Sequence, residues 1–268
     1  MLNVYNLGSN IITPLVDVGP VADLVLGTNA SPGAWSPDDS KFAYITASAL
    51  GSANTLHVVD LNTHNDAVLF ATEAGGGLSS PTWSPEGKQI AFIRTSANQT
   101  AWAVDLINVD GSHCSDKLVC EIRTNAGNEQ FRGGLAWSSQ GRLALSANPN
   151  GISDIYAMYA DGRQLFKLTN NFGDNFTPAW SPDGKQIAFT STHDGFFQIY
   201  VMNADGSNVR RVSQGAAADW SPAWSPDGNW LVFTSDRATT PDVYLMDLNG
   251  NNVMRVTQTG SDRPIWSH

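Results

Sequence analysis

Four connecting segments in the second half of the chain gather aromatic rings next to carboxylates. NNFGDNFTP (170–178) brings Phe172, Asp174 and Phe176, and STHDGFF (191–197) brings His193, Asp194, Phe196 and Phe197. GAAADWSP (215–222) adds Asp219 and Trp220, and SDRATTP (235–241) adds Asp236 and Arg237. Ring faces beside negative charge suit a peptide, a sugar or an organic cation. The competing role for Phe176 and Phe197 is to plug gaps inside the fold, and for the aspartates to form turns. Asp174, Asp219 and Asp262 each stand shortly before a recurring tryptophan. Brought together, they are candidate ligands for a hard cation such as Ca2+, which needs several oxygens. The matching places elsewhere hold Asn29, Ser79 and Gly133, so the ligand set is short and no cofactor is expected.

Other reactive residues point away from catalysis. His57, His64, His113, His193 and His268 show no paired spacing, and no G-x-S-x-G elbow occurs. Acidic pairs are too common in so acidic a chain to indicate glycosidase chemistry. Cys114 and Cys120 sit in one short insertion, HCSDKLVC. A local disulfide fits that spacing and would place the chain in an oxidising compartment; two free thiols are the alternative. A zinc site would need a fourth ligand beyond His113.

These segments are spaced by a repeat. Short runs around Trp35, Trp83, Trp137, Trp180, Trp224 and Trp266 recur roughly 42 to 54 residues apart, the period of a four-stranded propeller blade. The fourth run divides at its turn residues. It predicts strand a over Pro178–Ser181, b over Gln186–Ser191, c over Gln198–Asn203 and d over Asn208–Ser213. SPDG and ADGS between them have hairpin chemistry, with Asp capping the turn and Gly taking the positive φ. Five units are complete and the sixth has only its strand a, at the C-terminus. Leu2–Leu7, Ile12–Asp17 and Val21–Leu26 read as the missing b, c and d strands, with Pro14 counting against the second. The expectation is one all-β domain over 1–268: a six-bladed propeller of four-stranded antiparallel blades. One C-terminal and three N-terminal strands would close it. A tryptophan repeated in every blade reads as structural, so function belongs in what differs between blades.

Trp180–Ser191, Ile199–Gly206 and Val209–Ser213 carry W-S-P-D-G-x-x-I-A-F-x-S, then I-Y-V-M-x-x-D-G, then a basic final strand. Trp224–Ser235, Val243–Gly250 and Val253–Thr257 carry it again. The pattern resembles the TolB-type propeller repeat, shared with the propellers of prolyl oligopeptidase relatives, and the resemblance extends over the whole chain. Ser138-Ser139-Gln140-Gly141 departs from SPDG, and Asp38-Asp39-Ser40 lacks the turn glycine. The resemblance implies the fold and, more weakly, a non-catalytic binding role, since propellers host many tasks.

The formal net charge of −10 argues against nucleic acid, whose affinity rests on Lys and Arg at phosphates. Much of the acid lies in a–b turns (Asp38, Glu86, Asp183, Asp227) and c–d turns (Asp110, Asp161, Asp205, Asp247), which share one face of the disc. No apolar run spans a membrane. MLNVYNLGSN lacks the features of a signal peptide, as a mature domain would. The expected function is a monomeric periplasmic or extracellular module that binds a protein or peptide. Its loop-face site comprises Phe172, Asp174, Asp194, Phe196, Phe197, Asp219 and Trp220. A carbohydrate or small-ligand binder, and a lyase or hydrolase with a site at the channel mouth, remain open alternatives.

Overall fold

The computed structural model describes residues 2–6, 11–16, 33–47, 54–98, 101–112, 119–124, 130–149, 151–170, 172–258, 260 and 263–267. Two strands, β1 (Leu2–Asn6) and β2 (Ile11–Val16), pair only with each other. Five four-stranded antiparallel blades follow. Blade 1 is β3 (Ala34–Trp35), β4 (Lys41–Ala47), β5 (Asn54–Asp60) and β6 (Asp66–Ala71). Blade 2 is β7 (Gly77–Trp83), β8 (Gln89–Thr95), β9 (Trp102–Asn108) and β10 (Val119–Thr124). Blade 3 is β11 (Gln130–Trp137), β12 (Arg142–Asn148), β13 (Asp154–Tyr159) and β14 (Phe166–Lys167). Blade 4 is β15 (Asn175–Trp180), β16 (Gln186–Ser191), β17 (Gln198–Asn203) and β18 (Arg210–Arg211). Blade 5 is β19 (Asp219–Trp224), β20 (Trp230–Ser235), β21 (Asp242–Asp247) and β22 (Met254–Arg255).

The blade count corrects the sequence expectation: the described residues form five blades, not six. The N-terminal strands form their own hairpin, and residues 263–267 join no sheet. The proposed strand Val21–Leu26 lies outside the described residues. The C-terminal segment still behaves like a strand a in one respect. Ser80, Thr177, Ser221 and Arg263 all take positive φ (54, 47, 53 and 55°) just before a proline. The Ser221 amide donates to Thr190 Oγ1 at 3.0 Å, and the Arg263 amide donates to Thr234 Oγ1 at 2.9 Å. The first bond ties the bulge at Ser221 to blade 4, and the second ties the C-terminal segment to blade 5. In blade 3 the position is Gly134, where a Cβ would come within 2.7 Å of Thr177 Cα, so only glycine fits.

A serine begins every a–b turn. Ser181 Oγ donates to Asp183 Oδ1 at 2.7 Å and accepts from the Gln186 amide at 2.9 Å; Ser36 and Ser225 act alike. Strands b and c are buried because both their faces pack between blades. Phe189, Ile187, Tyr200 and Met202 of blade 4 meet Ile155 and Ala157 of blade 3 across Trp180. Fully burying a side chain such as Phe189 contributes about 1.5–3 kcal/mol. Similar continuous cores join blades 1 and 2, 2 and 3, and 4 and 5. Among the described residues, the core from blade 5 back to blade 1 is split: Trp266 packs on Val232, Val243 and Leu245, while Ile265 packs on Phe42, Tyr44 and Val59.

Candidate functional site at the loop end of the channel

Strand a of each blade lines a central channel of about 1600 Å³, and the C-terminal segment Arg263–Ser267 lines it too. The recurring tryptophans occupy equivalent places along it. Trp83, Trp180 and Trp224 are buried, and Trp35, Trp137 and Trp266 are half-buried. The indoles of Trp83 and Trp224 donate to the Ala34 and Ala179 carbonyls of the preceding blade, at 2.9 and 3.0 Å. Their role is to tie blades together.

The two channel ends differ. At the end where a strands begin, Trp102, Phe176, Phe197, Trp220, Asp236 and Arg263 line the opening. Phe176 and Phe197 meet edge to face, with centroids 6.1 Å apart at 83°, a favoured aromatic geometry. Phe197 is 41% exposed, and Trp220 is half-buried. The backbone behind them is clamped. The Asp219 amide donates to the Phe197 carbonyl at 2.9 Å, and the Ala218 amide donates to Asp236 Oδ1 at 2.8 Å. Gln198 Nε2 donates to the Ala217 carbonyl at 2.6 Å.

The seven residues singled out in the sequence divide into two groups. Phe197 and Trp220 reach the channel. Asp219 does not: it is fully buried, and Arg237 Nη2 donates to its two oxygens at 2.8 and 2.9 Å. Burial pushes the Asp219 carboxyl above its usual range, and bonds from Ser235 and Arg237 oppose that rise. Arg237 in turn lies over Phe233 and Tyr244, 5.3 and 4.9 Å from their centroids. Asp174 is half-buried and accepts the Ser153 amide on Oδ1 at 2.8 Å. Phe172 packs against the core between blades 3 and 4 and stacks on His193, at 4.0 Å and 1°. Phe196 is half-buried beneath the Arg211 guanidinium, at 5.9 Å. Asp194 accepts from Tyr200 Oη at 2.7 Å and from Arg211 at 2.9 Å. The tyrosine bond, then Arg211, holds its carboxyl below the usual range. Burial, then Asp194, pushes the Tyr200 hydroxyl up.

Trp102 opens β9 and lines the channel, with only a lone tryptophan in the blade 2 connection to signal it in the sequence. Phe176, one of the aromatic candidates of the sequence but outside the seven-residue set, lines the channel as well. Among the described residues, no group of three or more His, Cys, Asp or Glu side chains is placed to hold a metal ion; Asp262 lies outside them. Cys120 is disulfide-bonded; Cys114 also lies outside the described residues. No described helix is long and apolar enough to cross a membrane.

The arrangement has aromatic walls, with carboxylates engaged by backbone amides (Asp174, Asp236) or by arginines (Asp194, Asp219). It is equipped to bind by contact and stacking. Comparison with known proteins agrees with the fold. A TolB homologue of Chlorobium luteolum is 38% identical over 55 residues, which is 20% of this chain and 13% of that protein. The crystal structure of TolB from Acinetobacter baumannii superposes with a TM-score of 0.70 at 24% identity, covering 84% of this chain and 55% of that one. An oligogalacturonate lyase solved in complex with manganese superposes with a TM-score of 0.56 at 16% identity, covering 83% of this chain and 63% of that one. Such distant likenesses show the shared propeller fold alone. The model of the TolB β-propeller domain matches residues 39–217 and again 173–268, nearly all of the blades described above, so this chain belongs to the TolB β-propeller domain family.

Proposed function

We propose that this propeller is a non-catalytic module that binds a protein or peptide partner at the loop end of its channel, in blades 4 and 5. The observation that carries the reading is the aromatic lining of that opening by Phe176, Phe197 and Trp220 on a clamped backbone. Rigid aromatic anchors in a concave site, rimmed by polar groups, are the usual energetic centre of an interface. Family membership supports a binding role over an enzymatic one. The wider anchor set read from the sequence contracts to Phe197 and Trp220, now joined by Phe176. Asp219 acts from behind as a positioning residue. Phe172, Asp174, Asp194 and Phe196 support the surrounding loops. The disulfide at Cys120 fits an oxidising compartment, and we propose the periplasm, with Cys114 as the bonded partner.

Selection of displayed peptides on the purified chain tests the reading. Enriched peptides are expected to bind Trp220→Ala at least about tenfold more weakly, the loss of one anchor, while its melting temperature stays close to wild type. Peptides that bind wild type and Trp220→Ala equally would contradict the site.

A further inference from the structure

A second, smaller cavity opens on the opposite face, between the a–b turns of blades 1 and 2. Its volume is about 210 Å³, and its walls include Pro37, Pro85 and Trp83, with Asp38, Glu86 and Lys41 at the rim. That is below the size of pockets for cofactors or drug-sized molecules, and suits a single side chain.

The chain shows what such a notch accepts. At the equivalent junction between blades 3 and 4, the guanidinium of Arg142 lies over the Trp180 ring, 4.9 Å from its centroid. Gln140 Nε2 reaches across to donate to the Asp183 carbonyl at 3.0 Å. That junction is filled by its own side chains. At the blade 1/2 junction, Trp83 takes the place of Trp180, Asp38 that of Gln140 and Lys41 that of Arg142. Asp38 is too short to cross as Gln140 does. Lys41 turns toward Asp60 instead, with Nζ 3.8 Å from Oδ2.

Carboxylate capacity is left over here. Asp38 Oδ1 accepts from Ser36 Oγ, the Ser40 amide and Ser40 Oγ, at 2.6, 3.1 and 2.8 Å. Among the described residues nothing donates to Asp38 Oδ2 or to the exposed Glu86 carboxylate. In blades 4 and 5 the second oxygen of the matching aspartate is taken, Asp183 Oδ2 by Lys185 and Asp227 Oδ2 by Asn229.

We propose that the blade 1/2 notch is a guanidinium site, taking an arginine side chain of a protein partner against Trp83, with its donors on Asp38 and Glu86. A planar fork of donors matches a flat aromatic wall and two carboxylates better than an ammonium does. The site lies on the face opposite the aromatic channel mouth and does not depend on the reading of that mouth.

The test is an NMR titration of the whole chain with N-acetyl-arginine amide, following the Trp83 indole NH. Citrulline and lysine analogues of the probe serve as controls. The expected result is a saturable shift with the arginine probe, weakened about tenfold or more in neutral citrulline, which keeps the shape and loses the charge. Glu86→Gln should weaken the arginine probe about three- to tenfold, the range for an exposed charge pair with an aromatic contact. Lys41→Arg should weaken it comparably, by supplying the missing internal guanidinium as Arg142 does. Both substitutions are at the surface. If either disturbed the fold, as judged by the remaining amide spectrum, the other carries the test. Equal binding of arginine and citrulline probes would overturn the proposal. So would a non-saturating shift that both variants leave unchanged.

Discussion

The two ends of the channel use the same residue types in opposite ways. At the loop end, carboxylates are sunk into the blades and matched to cations: Asp219 to Arg237, Asp154 to Lys167, Asp242 to Arg255. Aromatic rings there stay open to the channel. At the turn end the carboxylates are exposed and cap their own turns, as Asp38, Asp183 and Asp227 do, while the rings of Trp83, Trp180 and Trp224 are buried. The turn end repeats nearly the same sequence in each blade, and its geometry repeats with it. The loop end changes from blade to blade. What recurs holds the ring together, and what departs from the repeat is available for recognition.

The largest expected effect tests the sunken pairs. Arg237→Ala leaves the Asp219 charge buried without its partner and should cost about 3–5 kcal/mol in urea unfolding. Adding Asp219→Asn should recover much of that, because blade 4 seats Asn175 at the matching place, fully buried. A cost below about 1 kcal/mol for Arg237→Ala, the level of an exposed pair, would break the contrast between the two ends. Next come the tryptophans. Trp180→Ala should cost about 3–5 kcal/mol as a buried blade-to-blade contact, whereas Trp220→Ala should stay within about 1 kcal/mol as a half-buried lining residue. Similar losses for both would mean that Trp220 is structural.

The smallest expected effect is in pH dependence, and its sign differs between Asp38 and Asp219. Hydroxyls of Ser36 and Ser40, with the Ser40 amide, hold the Asp38 carboxyl at about 2, below its unfolded value near 3.9. Its contribution is therefore complete above the unfolded value and lost as pH falls through 2. For Asp219, whose folded value is raised, ionisation weighs against the fold, and that weight lifts as pH falls. Melting curves of Asp38→Asn should therefore approach wild type as pH drops from about 4 toward 2. Curves that stay parallel across that window would refute the low value.

Much of the repeat was legible. Strands β16 and β17 occupy the residues that the turn chemistry of the fourth unit marked for b and c. Strand d shrinks to Arg210–Arg211, and Asn208 takes φ of 55°, which ends the extended run early. Strand a begins earlier, at Asn175, because the bulge at Thr177 lets the chain pair on both sides of it. The blade count was not legible. Local signals mark hairpins, but closure depends on contacts between chain ends far apart in sequence, and Pro14 was the sole local warning. At the proposed site, the aromatic–acid segments mark the loops around the channel end without showing which members line it: Phe197 and Trp220 do, whereas Asp219 is buried behind them. Asp219 and Arg237 are eighteen residues apart, and nothing local reveals that their side chains meet. Trp102 joins the channel only through the ring geometry.

The most direct measurement of the partner site is photocross-linking in the cells that make the protein. A photoreactive phenylalanine analogue would replace Phe197 at the channel mouth and, separately, Phe166 on the outer strand β14, which is comparably exposed at 46%. The account expects one defined protein adduct from position 197, absent from position 166 and lost when Trp220→Ala is added. The same adduct from position 166 with none from 197, or an adduct from 197 indifferent to Trp220, would contradict it.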